Sequence, residues 1–256
     1  MLRLFTTLYP EKDSLRRAEY AECLMRNLGC AVIDEVCLLV EGDCVELPES
    51  PKIRVRKIGA RPTYADYFQW IGEVAGTEDI SVVANTDIWF DGQLALFRNW
   101  KLPDRTTIAL SRWNLVAGGR ALLYDHNDSQ DTWIFKGKVG SVVSSFPVGV
   151  PRCDNRIAAE LQASGYCVMN PAFSLKSYHL HSGPIRIYDA EAPNQLIPPP
   201  YKYIWPHNLF GPLQTVIYNL ANPTVPVAYR IDRRRLARTL PWRILRKLGT
   251  FFGSCR

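Results

Sequence analysis

The groups in this chain that could do chemistry stand where apolar runs stop. The run Ile80–Ala84 ends in Asn85-Thr86-Asp87. Asp131 precedes the apolar Trp133-Ile134-Phe135, Asp154 and Asn155 follow the rigid turn at 146–151, and His179 and His181 close a short segment after Asn170-Pro171. A carboxylate at the C-terminal end of a buried strand sits where open α/β sheets place ligands. Oxygen ligands at that edge suit a hard divalent cation bridging phosphates. The plainer alternative for Asn85-Thr86-Asp87 is a turn, which Asn and Asp both favour. Asp91 can cap a short helix beginning at Gln93, and Asp154 or Asn155 can cap a helix running to Ala163.

Such groups need elements to hold them at one edge. Leu2–Leu8 reads as a first strand. Asp13 or Ser14 caps a helix to about Asn27, where Leu15, Ala18, Cys23 and Leu24 approximate helical spacing and Gly29 ends it. Strands follow at 32–40 and 52–58, the latter alternating basic and apolar residues. Arg61-Pro62-Thr63 opens a helix over 64–75, and Ile80–Ala84 is a fourth strand, apolar enough to be buried on both faces. A short helix at 93–98 precedes a strand at 107–112. Residues 114–130 carry a loop signature, Gly118-Gly119 with Asp125-His126-Asn127-Asp128. Residues 133–135 and 139–143 are short apolar pieces. After the helix to Ala163, stopped by Gly165, a strand is expected at 166–169. Residues 184–206, rich in Pro, Tyr and Asn, read as irregular surface chain. This order predicts an α/β, Rossmann-like layer sandwich with a mainly parallel central sheet.

Composition bounds the partners. The 256 residues are 47% hydrophobic and 22% charged, a globular profile with ample core. No apolar run approaches a membrane span, and the apolar part of the N-terminus is too short for a secretion signal. Cys23, Cys30, Cys37 and Cys44 are spaced by seven but pass from a helix pattern to a strand pattern, and none of the seven cysteines forms a C-x-x-C pair. Reduced, buried, structural thiols in a cytosolic protein are the expectation. The net charge of +6 is uneven: residues 230–256 hold nine Lys/Arg and one Asp, and the first 229 residues hold 22 Lys/Arg against 24 Asp/Glu. With no basic face on the body, a nucleic-acid partner is not expected.

From Leu2 to His181 the order and spacing of these groups resembles the GT-A-fold glycosyltransferases, which move a sugar from a nucleotide diphosphate donor. The resemblance implies that Asn85-Thr86-Asp87 takes the place of the D-x-D motif binding the donor's ribose and a divalent metal, Mn2+ or Mg2+, with Asp87 as ligand. Asn at the first position keeps an oxygen and lowers the charge at the metal. It implies that Asp154 is the catalytic base of an inverting transfer, a carboxylate ionised and held by a helix N-terminus, or else a plain N-cap. A late histidine completes the metal site in the family, which points to His181 ahead of His179, two residues apart and on one face of a strand. Donor recognition falls to Thr6, Thr7 and Tyr9 after the first strand and to Arg61, Tyr64 and Asp66 after the third, where Arg suits phosphate and a Tyr ring suits a base. For Arg61-Pro62 the alternative is an ordinary helix entry. Asp131 reads as a catalytic-site residue facing the acceptor or the sugar, with Trp133 either stacking on a sugar or packed in the core.

The partners implied are a nucleotide-sugar donor and a glycan or lipid-linked acceptor. A nucleotidyltransferase is the first alternative, opposed by the lack of glycine in Thr6-Thr7-Leu8-Tyr9-Pro10. A metal-dependent phosphoesterase would need more converging His and Asp. A lectin-like scaffold would leave Asp87 and Asp154 without a reason. Residues 1–229 are expected to be the catalytic domain and 230–256 a basic tail. In that tail Trp242, Ile244, Leu245, Leu248, Phe251 and Phe252 alternate with cations as in an amphipathic helix suited to an anionic membrane surface. That predicts a cytoplasmic protein, peripheral on the inner face of the membrane.

Overall fold

A computed structural model of the chain describes residues 1–42, 46–116, 118–180 and 196–223, with Pro241 and Ile244. The elements run β1 (Leu2–Leu8), α1 (Ser14–Gly29), β2 (Glu35–Glu41), β3 (Ile53–Ile58), α2 (Tyr64–Val74), β4 (Ile80–Ala84) and β5 (Ile88–Trp89). A 3-10 turn at Gly92–Ala95 leads into α3 (Leu96–Asn99). Then come β6 (Thr106–Leu110), β7 (Arg112–Leu115), β8 (Ala121–Leu123), β9 (Thr132–Lys136), α4 (Cys153–Ala163), β10 (Cys167–Met169), β11 (Ser177–His179) and α5 (Pro212–Ala221).

The main sheet has the order β10-β6-β9-β4-β1-β2-β3. Its pairings are parallel except where β9 runs against β4 and β6. This is the GT-A-like, Rossmann-like sandwich expected from the sequence. The chain leaves β1 in one direction through β2 and β3 and in the other through β4, so the strand order reverses between β1 and β4. A crevice opens outside the carboxyl ends of strands at such a point. Both sheet faces are covered. Leu4, Leu38, Val82 and Ile134 pack with Tyr20 and Leu24 of α1. Phe5, Leu39, Val83, Trp133 and Phe135 pack with Tyr67, Phe68 and Ile71 of α2 and Ile157 and Leu161 of α4. Double-faced burial is why the strands read as unbroken apolar runs.

A second sheet, β5-β11-β7-β8, is assembled from the segments that leave β4, β6 and β10 at their carboxyl ends. Residues 114–130 were expected to be loop; instead β7 and β8 pair across a turn where Gly118 and Gly119 both have positive φ. The strand expected at 107–112 is broken at Ser111, fully buried, whose N–H is taken by Asn170 Oδ1, so the chain passes there from one sheet to the other. Residues 196–206 are not surface coil throughout: Ile197 and Ile204 are buried against the α2–α4 side. Helix α5 was not expected from the sequence. Cys23, Cys30, Cys37 and Cys153 are buried free thiols and Cys167 is exposed. Burial pushes Cys23, Cys37 and Cys153 up to about 12, which leaves them poor nucleophiles and ligands. Among the described residues no helix is long and apolar enough to cross a membrane. Apart from Pro241 and Ile244, the expected tail helix lies outside the described residues.

Candidate active site

Asn85-Thr86-Asp87 follows β4 at the switch point and is fixed by its neighbours. Asn85 N–H donates to the Asp131 carbonyl (3.1 Å) and Thr86 Oγ1 to the Thr7 carbonyl at the end of β1 (2.9 Å). Just beyond, Asn27 of α1 holds the chain on both sides. Its Nδ2 donates to Ile88 O (2.9 Å) and its Oδ1 accepts from Phe90 N–H (3.0 Å), so a side chain completes the backbone pairing of β5.

Asp87 is half-buried, and its Oδ2 meets Arg16 Nη2 at 2.7 Å and His179 Nε2 at 3.3 Å. Burial pushes its carboxyl up, but hydrogen bonds and charge from His179 and Arg16 outweigh that and hold it well below the usual carboxylate range. Arg16 is raised in turn: burial lowers it, and Asp87 more than compensates. Its other nitrogen reaches Glu19. His179 Nδ1 lies 2.9 Å from Asn114 Oδ1, a contact that fixes the ring while Nε2 faces Asp87. The Oδ2–Nε2 separation is close to the roughly 3 Å between adjacent ligands on an octahedral ion with bonds of about 2.1 Å. A divalent cation held by this pair would have to displace the Arg16 contact on the same oxygen and take its remaining ligands from water and phosphate. Among the described residues no group of three or more acidic, His or Cys side chains is placed to hold a metal ion. His181 lies outside the described residues.

Asp131, at the start of β9, accepts from Asn85 Nδ2 (2.8 Å) on one oxygen and from Arg112 Nη1 (2.9 Å) on the other. Here is a physical reason for Asn at position 85. A carboxylate in its place would face Asp131 across a hydrogen-bond distance and repel it. Arg112 also donates to Asn114 Oδ1 and Ser129 Oγ, and its guanidinium lies 4.4 Å from the centre of the Tyr124 ring. One chain of contacts thus runs Glu19–Arg16–Asp87–His179–Asn114–Arg112–Asp131–Asn85.

Asp154 does not cap α4. The helix starts at Cys153 behind Arg152, which takes a left-handed φ of 72° with no side-chain cap, and Asp154 lies in the first turn. Its oxygens accept from Gln130 N–H and Asn155 N–H, each at 3.0 Å. The helix terminus was expected to keep it strongly ionised. Burial dominates instead, and with the charge of Asp131 it pushes the carboxyl up to about 6 against the lowering by those N–H groups.

The donor-side residues separate. Thr6, Thr7 and Tyr9 lie at the carboxyl end of β1: Thr6 is buried, Thr7 Oγ1 donates to Leu39 O (2.8 Å), and the Tyr9 hydroxyl meets that of Tyr20 (2.6 Å). Arg61 is exposed after β3, and its charge offsets part of the burial that raises the Glu41 carboxyl. Two expectations are overturned. Tyr64 is 2% exposed, packed against Phe68, Trp133 and Phe146, with no ring face for a base. Asp66 is half of a capping box with Thr63, so its carboxylate is spent on the start of α2. Trp133, 2% exposed, is core. Sequence reasoning missed Arg16, Asn114 and Arg112. The spacing Arg112-x-Asn114 beyond a buried strand was the available signal, since residues two apart share a face.

No family model matches the chain, and no curated protein sequence does. Among solved structures the chain is similar to the mannosyltransferase PcManGT from Pyrobaculum calidifontis in complex with GDP-Man and Mn2+, at 14% identity and a TM-score of 0.44, over 98% of this chain and 79% of that one. It is also similar to 4-diphosphocytidyl-2C-methyl-D-erythritol synthase from Anaerococcus prevotii, at 12% identity and a TM-score of 0.33, over 53% of this chain and 69% of that one.

Proposed function

We propose that the protein is a glycosyltransferase that moves a sugar from a nucleotide-diphosphate donor to a glycan or lipid-linked acceptor, with inversion and with help from a divalent metal. One observation carries the reading. Three carboxylates from distant parts of the chain meet at the carboxyl edge of the sheet, and their surroundings drive two of them apart: Asp87 is held ionised by Arg16 and His179, while Asp154 is pushed up to about 6. Carboxylates separated in this way divide the labour of charge binding and proton transfer.

In this reading Asp87 and His179 would hold Mn2+ or Mg2+, with Asn114 fixing the histidine ring and His181 the further candidate ligand. The ion, when bound, offsets charge on the departing diphosphate. Arg16, paired with Asp87, supplies a cation beside the place the phosphates would take. Thr6, Thr7, Tyr9 and Arg61 line the donor side, and Asp131 positions Asn85 and Arg112. Asp154 accepts the proton of the acceptor hydroxyl as its oxygen bonds to the anomeric carbon and the bond from that carbon to phosphate breaks, releasing the nucleoside diphosphate. Residues 1–229 form the catalytic domain, and 230–256 are a cationic tail that keeps the protein at the inner, anionic face of a membrane, near a lipid-linked acceptor.

The test is thermal stabilisation by UDP- and GDP-sugars, with and without Mn2+, in the parent and in Asp87→Ala. Metal-dependent stabilisation by one donor, lost in the variant, is the expected outcome. Stabilisation by a nucleoside triphosphate with Mg2+ and by no nucleotide sugar would make the protein a nucleotidyltransferase. Retention of the donor's anomeric configuration in the product would sink the inverting assignment.

A further inference from the structure

Among the described residues, helix α5 is held on one side only. The Tyr218 ring stands 4.9 Å from Phe210, which stands 5.5 Å from Trp100, and Asn222 Nδ2 donates to the Tyr218 carbonyl. On the opposite side Leu213, Val216, Ile217 and Leu220 keep the i, i+3, i+4, i+7 spacing and form one apolar stripe. They are 73%, 55%, 58% and 78% exposed, so the stripe faces outward along its whole length. The helix, PLQTVIYNLA, carries no charge. A contiguous exposed apolar face of this kind marks a surface that meets something.

The sequence beyond α5 identifies the partner. Arg230 comes nine residues after Ala221 and begins a stretch with nine Lys/Arg against one Asp. A linker of nine residues reaches at most about 30 Å, so the first of those cations stay near the stripe. A second copy would bring a second cationic stretch to the same place, and the two would repel. A bilayer with anionic headgroups offers an apolar layer to the stripe and negative charge to the tail at once. Ahead of the helix, Tyr203 and Trp205 are each 48% exposed, side chains of the type that settle at a membrane–water boundary.

We infer that the outer face of α5 is a docking surface for an anionic phospholipid membrane. Leu213, Val216, Ile217 and Leu220 enter the headgroup–acyl boundary while the tail supplies the electrostatic part. The inference rests on the tail being a cationic anchor, and the experiment separates the two. Full-length protein is co-sedimented with phosphatidylcholine vesicles, with and without phosphatidylglycerol, at low and high salt. Leu213→Ser/Ile217→Ser is compared with Arg233→Gln/Arg234→Gln/Arg235→Gln, after unchanged melting temperatures are established for both.

The serine variant should lower partitioning about tenfold or more on anionic vesicles and remove what survives high salt. The glutamine variant should lose only the salt-sensitive part. Should the glutamine variant bind like the parent while the serine variant does not, the docking surface stands and the tail anchor falls. Equal partitioning of the serine variant and the parent overturns the docking surface. So does a parent that ignores vesicles and sediments as a dimer dissolved by the serine changes.

Discussion

At Asp87 a guanidinium and an imidazole converge on one carboxylate oxygen, and at Asp154 no cation is within bonding reach of either oxygen among the described residues. That difference sets what each can do. Asp87 is pinned as an anion and can only attract positive charge. Asp154, pushed up to about 6, changes protonation near neutrality and suits a proton acceptor. If Asp154 is the base, kcat/KM should rise with pH, about tenfold per unit, and level off above about 6. Asp154→Asn should cut turnover by about 10²–10⁴-fold with donor affinity kept, and should flatten that acid limb. A variant that is slower but keeps the limb would move the base elsewhere. Asp87 and Asp154 were legible in the sequence because an acid closing an apolar run is conspicuous. Arg16 was not, since a cation in the first turns of a helix reads as solvated until the sheet edge it overhangs is known. Tyr64 misled for the converse reason: its place after a strand end suggested a ligand, and its ring belongs to the core.

Elements rather than residues decide how firmly the edge is held. The three-residue motif after β4 owes its position to α1, because Asn27 takes both Ile88 O and Phe90 N–H. Asn27 is 3% exposed, so no water replaces it readily. Asn27→Ala should leave two buried backbone groups unpaired, at about 1–3 kcal/mol for each. Urea unfolding should show a lower midpoint with an unchanged slope, and under the proposed function donor binding should weaken as well. Binding unchanged in a destabilised protein would confine Asn27 to a structural role. The central strands of the main sheet could be read from the chain because burial on both faces demands unbroken apolar runs, and the edge strand β3 showed as an alternation of basic and apolar residues. The β7–β8 hairpin could not: it is short, its polar Arg112 and Asn114 are part-buried while Leu122 is exposed, and Gly118-Gly119 looks the same in a loop as in a tight turn. The break at Ser111 was hidden too, since the residue that receives its N–H, Asn170, lies 59 positions away. Helix α5 was masked by Pro212 and by an apolar face that covers no core.

Across the whole molecule the two edges of the sheet differ in kind. At the amino edge Arg3 bridges Glu35 and Asp79, the Met1 amino group also reaches Asp79, and Arg54 reaches Glu35, a closed set of opposite charges. Burial pushes Asp79 up, but hydrogen bonds from the Met1 amino group, Gly76 N–H and Arg3 outweigh it and lower the carboxyl to about 2. Glu35 is lowered by Arg3 first and by Arg54, against burial. The stability these acids add is present above their unfolded values, near 4, and is lost as pH falls through their folded ones. Asp154 at the carboxyl edge has the opposite sign. Raised to about 6, it takes up protons in the fold that the unfolded chain does not, so its contribution falls as pH climbs from about 4 to about 6. The acids of the amino edge stabilise, as Asp87 does at the carboxyl edge, whereas Asp154 gives up stability to remain a group that titrates near neutrality. Asp79→Asn tests this division. It should lower the melting temperature by a few degrees at pH 7, at about 2–4 °C per kcal/mol for a chain of this size. The deficit should shrink to about half by pH 3, halfway down the window between the unfolded and folded values. Metal-dependent donor binding should be unaffected, because Asp79 precedes β4 at the edge opposite Asp87. A deficit equal at pH 3 and pH 7 would mean that the shape of the side chain, and not its charge, holds the amino edge.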